Sequence, residues 1–147
     1  MKNILSLIVA LYFLTGCENT AENVEISDRP NILLIVADDL GYTDIGAYGS
    51  EIRTPNLNDL ADNGLLLTNF YSAPTCSPAR AMLLSGTDYH LAGVGTMAGE
   101  WDTNQVGQRG YETYLNHDVV SVSSILQDSG YHTYMSGKWH LGEAPEL

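Results

Sequence analysis

Asn31-Ile32-Leu33-Leu34-Ile35-Val36-Ala37-Asp38-Asp39 is an unbroken aliphatic run that stops on two carboxylates. Nothing polar alternates with the aliphatic side chains, so the run has no face suited to water and predicts a central parallel strand covered on both sides. Downstream, Thr54-Pro55 opens a helix with Thr54 as N-cap and Pro55 in the first turn. Leu57, Leu60 and Ala61 share one face of it, and Gly64 closes it. Residues 65–72 form a second apolar run ending in aromatic residues, a second predicted strand. Pro74 and Pro78 frame a loop into a short helix over 79–84, which puts Cys76 at a strand-to-helix junction. Residues 86–117 hold six glycines and no sustained period, so they predict a long loop on the substrate side. Asp118 caps a further helix through Ser129, with Val122, Ile125 and Leu126 as its apolar face and Gly130 as its stop. Residues 131–136 predict a third strand. The order β-α-β-α-β implies right-handed crossovers, hence an α/β fold: a mostly parallel sheet with helices on both faces.

The chain has 147 residues, enough for one modest core and too few for two. Eighteen Asp and Glu against six Lys and Arg give a formal charge of −12, which excludes a phosphate backbone or an anionic lipid surface as a partner. No nucleic acid is expected. A hydrophobic share of 44%, with nine Tyr and two Trp, excludes a disordered chain.

Ahead of the first strand, Lys2 is followed by an apolar stretch over residues 4–14, too short to span a bilayer and suited to a signal peptide. The stretch runs into Leu14-Thr15-Gly16-Cys17, which resembles the lipobox of bacterial lipoproteins. That resemblance implies cleavage after residue 16, a lipid anchor at Cys17 in a bacterial membrane, and an exported protein facing the periplasm or the cell surface. The plainer alternative is an ordinary signal peptide with a coincidental cysteine. Residues 17–28 are polar and acidic, as a tether would be. Of two cysteines, the anchor consumes one, which leaves Cys76 without a disulfide partner in an oxidising compartment.

Open α/β sheets bind ligands beyond the carboxyl ends of their strands, and each predicted strand here ends in reactive side chains. Asp38 and Asp39 follow the first; as hard oxygen donors they suit Ca²⁺ or Mg²⁺, or else they serve only the turn at Gly41. The second leads into Cys76-Ser77-Pro78-Ala79-Arg80, where a helix N-terminus and a guanidinium one turn on both favour an anion near the thiol. The third ends in Gly137-Lys138-Trp139-His140. Loss of Lys2 with the leader takes the formal charge from −12 to −13 and leaves Lys138 as the one lysine, which suggests an anion-binding role over a snorkelling surface charge. His140 taken alone fits a structural histidine better than a functional one, and Lys138 beside it shifts that balance.

Cys76-Ser77-Pro78-Ala79-Arg80 resembles the C-x-P-x-R signature of type I sulfatases. Residues 130–142, Gly-Tyr-His-Thr-Tyr-Met-Ser-Gly-Lys-Trp-His-Leu-Gly, are similar to the second signature of that family, and residues 30–39 to its opening strand and metal ligands. The stretch 93–116, with Met97, Trp101 and Tyr111, is most similar to bacterial arylsulfatases. The resemblance implies hydrolysis of sulfate esters by a formylglycine made from Cys76, installed by a maturation enzyme. It implies Ca²⁺ held by Asp38, Asp39 and the modified Cys76. Arg80 would fix the formylglycine, Lys138 would contact a sulfate oxygen, and His140 would hydrogen-bond the hydroxyl and assist its deprotonation. Members of the family continue well past this length, so the resemblance implies that residues 29–147 are the incomplete N-terminal part of an alkaline-phosphatase-like catalytic domain. Two alternatives stay open: a phosphonate or phosphodiester hydrolase of the same superfamily, and an inactive anchored anion-binding fragment.

Overall fold

The computed structural model describes residues 29–142. The leader, Cys17 and the tether to residue 28 lie outside the described residues. The chain divides into one unit ending at Ile35 and a second from Val36 onward. In the first unit, residues 29–35 carry no regular secondary structure and are exposed, with Leu33 at 84%.

Among the described residues there is no β-strand, which corrects the three strands expected over 31–37, 65–72 and 131–136. A strand exists through ladder hydrogen bonds to a neighbour about 4.8 Å away, however apolar its own sequence. No such partner is formed here, and aliphatic and aromatic side chains of these runs remain in water, Tyr134 at 92% exposure. The mostly parallel sheet is therefore not formed by the described residues.

The helices of the second unit follow local signals closely. Two 3₁₀ turns, Tyr42–Asp44 and Gly46–Tyr48, precede helix α1 at Pro55–Asn63. Pro55 occupies the first turn, where its missing N–H costs nothing. Thr54 does not cap the helix through its side chain, contrary to expectation. Its hydroxyl instead accepts from the Gly46 N–H at 2.8 Å and donates to Asn58 Oδ1 at 2.9 Å, tying α1 to the preceding turn. The expected apolar face of α1 is not buried: Leu57 and Leu60 are both exposed.

Helix α2 spans Cys76–Ser85, beginning three residues before the predicted start at 79. Pro78 does not delay it, because first-turn N–H groups have no intrahelical acceptor and a proline there forfeits nothing. Gly86 ends it in the left-handed conformation, φ 65°, donating to the Met82 carbonyl at 2.8 Å. Helix α3, Val122–Asp128, is shorter than the predicted 118–129: Ser121 is the cap, accepting from the Ser124 N–H at 3.2 Å. Asp118 pairs instead with Arg109 at 3.3 Å on the surface.

The expected substrate-side loop, 86–117, turns out to hold the core. Ala92 and Val94 are fully buried with Ala81 of α2 and Leu141, and Leu84, Tyr89, Leu115, Val119 and Trp139 pack against them. Backbone bonds lace the loop to itself, Gly95 N–H to the Gly110 carbonyl at 2.7 Å and Asn116 N–H to the Ala92 carbonyl at 3.0 Å. A Cβ at position 95 would lie 2.6 Å from the Gly110 oxygen and 2.7 Å from the His90 ring, so the close approach needs glycine.

Candidate active site

Helix α2 presents Cys76 as its first residue and Arg80 one turn later on the same side. The segment 138–142, pinned to α2, brings Lys138 and His140 to the same thiol, and Asp38 joins the group through Lys138 and Arg80. Cys76 Sγ lies 3.3 Å from His140 Nδ1 and 3.5 Å from Lys138 Nζ. Lys138 Nζ also donates to Asp38 Oδ2 at 3.0 Å, while the second Asp38 oxygen pairs with Arg80 Nη2 at 3.4 Å. Arg80 Nη1 donates to the Lys138 carbonyl at 2.7 Å, so the guanidinium orients the lysine's backbone as well as its counter-ion. Five of the six residues singled out from the sequence, Asp38, Cys76, Arg80, Lys138 and His140, therefore form one connected cluster.

Charge and burial set the protonation of this cluster. The hydrogen bond from Lys138, reinforced by Arg80, holds the Asp38 carboxyl below its usual 3.8. The same bond raises Lys138 above 10.5, with Cys76 adding to the effect. Burial, then the positive charges of Lys138 and Arg80, push His140 below 6.5. At neutral pH the cluster thus holds a carboxylate, two cations and a neutral imidazole whose Nδ1 lies 3.3 Å from the Cys76 sulfur.

Arg80 is 8% exposed, yet its Nε has no hydrogen-bond partner. A buried guanidinium N–H without an acceptor is costly, so it marks a place where an anionic oxygen would be welcome. The hydroxyl of Thr75 makes no capping bond at the start of α2, which leaves first-turn N–H groups beside Cys76 without that acceptor. A cavity of about 620 Å³ opens next to these groups, bordered by Asp38, Asp39, Cys76 and Arg80 and by the aromatic rings of Phe70 and Tyr71.

Asp39, expected as a second metal ligand, borders this cavity in the left-handed conformation, φ 57°, and enters none of the contacts around Cys76. Among the described residues, no group of three or more His, Cys, Asp or Glu side chains converges on a common point. Both oxygens of Asp38 face cations, and Asp39 stands apart from the contacts around Cys76. The donor chemistry does suit a hard cation: two adjacent carboxylates on one cavity wall, Asp38 held ionised.

Two neighbours of Cys76 carry no role in the expectations from sequence. Met97, noted only within the stretch similar to bacterial arylsulfatases, places its Sδ 3.5 Å from Cys76 Sγ. Ser77 is fully buried, and its hydroxyl donates to the His140 carbonyl at 2.7 Å. Its place inside C-x-P-x-R was a signal that went unused.

A family model described as sulfatase matches residues 30–146. An uncharacterized sulfatase of Schizosaccharomyces pombe is 54% identical over 123 residues, 82% of this chain and 22% of its own length. An arylsulfatase of Klebsiella aerogenes is 44% identical over 118 residues, 80% of this chain and 25% of its own. Human steryl-sulfatase is 38% identical over 139 residues, 90% of this chain and 22% of its own. The chain thus spans about a quarter or less of the length of these curated relatives.

Proposed function

The chain belongs to the sulfatase family, and from that premise we propose that Cys76 and its neighbours are the reacting centre of a sulfate-ester hydrolase with an alkaline-phosphatase-like α/β fold. The observation that carries this reading is the convergence of Lys138 and His140 on the one thiol at the start of α2, with Arg80 of the same helix holding the Lys138 carbonyl.

Formylglycine at position 76, installed by a maturation enzyme, supplies a hydrated aldehyde as nucleophile in place of a thiol. Asp38 and Asp39, with the modified Cys76, would hold a Ca²⁺, which would supply positive charge for the sulfate oxygens. The chain's own residues do the rest. Arg80, with its unpartnered Nε, and Lys138, tethered to Asp38, offer fixed donors to an anion beside residue 76. Donors held in place before the reaction need no reorganisation as negative charge moves onto the oxygens they face. His140, a neutral imidazole at neutral pH with Nδ1 3.3 Å from residue 76, takes the proton of the attacking group in the tautomer that leaves Nδ1 bare. The Phe70 and Tyr71 rings on the cavity wall suit an apolar leaving group, consistent with an aryl ester. The reading extends to the N-terminus: residues 1–16 as a lipoprotein leader, Cys17 as the lipidated residue and 17–28 as a tether, which places the enzyme outside the cytoplasm on a bacterial membrane.

Turnover tests the proposal. Full-length protein from a host able to make formylglycine is assayed on 4-nitrophenyl sulfate and on matched phosphonate and phosphodiester esters. Preference for the sulfate ester is expected. Preference for a phosphorus ester would move the chain to another chemistry, and anion binding without turnover would leave it a binding protein.

A further inference from the structure

The backbone of 138–141 is clamped at three carbonyls. Arg80 donates to the Lys138 carbonyl at 2.7 Å, Ser77 Oγ to the His140 carbonyl at 2.7 Å, and the Leu115 N–H to the Leu141 carbonyl at 3.1 Å. Two of the three clamps come from α2, the helix that carries Cys76, and only that of Ser77 acts on His140 itself. His140 needs one. Its φ of 61° is the left-handed region, which a Cβ-bearing residue occupies at a cost and keeps only when its surroundings dictate it. Leu141 is fully buried next door, so the chain direction after His140 is fixed, while the imidazole has to meet Cys76 at 3.3 Å.

We propose that Ser77 is a positioning residue: its buried hydroxyl, by holding the His140 carbonyl, keeps His140 in the left-handed conformation from which Nδ1 reaches residue 76. The proposal rests on the reading of residue 76 as the reacting group. Ser77 is 1% exposed, so removing the hydroxyl leaves the His140 carbonyl without its donor. The carbonyl regains a partner only by turning, and turning releases the left-handed φ and swings the ring. Arg80 and Lys138 keep their own contacts, so anion binding persists while proton transfer suffers.

The test compares Ser77→Ala, Ser77→Thr and Ser77→Val in full-length protein from a maturation-competent host. Rates are divided by the fraction of residue 76 converted to formylglycine, read by mass spectrometry. Thr and Val share one shape and differ in the hydroxyl, so packing alone would treat them alike. Ser77→Ala and Ser77→Val are expected to lower kcat roughly ten- to a hundredfold with KM within about threefold, and Ser77→Thr to recover most of kcat. Equal kcat for the Thr and Val variants, or an unchanged kcat for Ser77→Ala, overturns the proposal. Crystal structures of wild type and Ser77→Ala provide the readout that needs no activity. A wild-type protein that hydrolyses no sulfate ester sinks the functional reading, and the positioning role is then decided by geometry. His140 leaving positive φ and withdrawing from residue 76 in Ser77→Ala upholds it; His140 unmoved overturns it.

Discussion

Truncating Leu141 to alanine separates the packed core from the exposed apolar surface. Leu141 is fully buried against Ala81, Ala92 and Val94, three small residues with little freedom to collapse into the space it leaves. Leu→Ala at such a site costs the transfer energy of the lost atoms and the cavity, about 3–4 kcal/mol where relaxation is poor. Against a typical total of about 5–15 kcal/mol this is a large fraction. With a urea slope of about 2 kcal/mol per molar, the unfolding midpoint falls by about 1.5–2 M. Trp139 packs on the same cluster, so its fluorescence reports the transition. Leu91→Ala is the control: Leu91 is 65% exposed beside fully buried Ala92, and its truncation should change stability by less than about 0.5 kcal/mol. A loss below about 1 kcal/mol for Leu141→Ala, or equal losses for both variants, would refute the placement of the core in the 86–117 loop.

The cluster at Cys76 also predicts how stability varies with pH. His140, with its pKa lowered by burial, contributes stability that is present above 6.5 and lost as pH falls through its folded value. Asp38, also lowered, contributes above 3.8 and loses it further into acid; Lys138, raised, contributes below 10.5 and loses it as pH rises through its folded value. Urea midpoints from pH 3 to 11 should fall at both ends, and His140→Gln should remove the step beginning at 6.5; an unchanged step would contradict the assignment. Lys138→Met should cost roughly 10²–10³ in kcat on an aryl sulfate by removing a fixed donor to the anion, and a loss under tenfold would count against that role. Cys17→Ala should move the protein from the membrane to the soluble fraction after detergent-free lysis; equal partition would argue for an ordinary cleaved leader.

Local signals place the helices but not all of their caps: Thr54 and Asp118 do not cap, and Ser121 does. Helix α1 followed from Pro55 at the start and Gly64 at the end, signals that act within one turn. Helix α2 starts ahead of Pro78 and not after it, since a first-turn proline lacks only an N–H that the helix does not use. Strands are legible only as candidates, since the apolar run from Ile32 depends on a partner supplied elsewhere. The core was invisible in the sequence: Ala92, Val94 and Leu141 follow no helical or strand period, and irregular backbone brings them together. The site was legible because three motifs each carry their chemistry within a few residues, as Cys76 and Arg80 do across one turn. The contacts of Ser77 to His140 and of Met97 to Cys76 are not legible because they span 63 and 21 residues of chain.

The central claim is that the thiol at position 76, flanked by Arg80, Lys138 and His140, is the precursor of the reacting group. The most direct measurement is the mass of the peptide containing Cys76, taken with hydrazide labelling, from full-length protein made in a maturation-competent host. The account predicts an aldehyde in place of the thiol, labelled by hydrazide, and a Cys76→Ala variant that folds and hydrolyses no aryl sulfate. An unmodified thiol in protein that turns over sulfate ester, or an active Cys76→Ala variant, would contradict it.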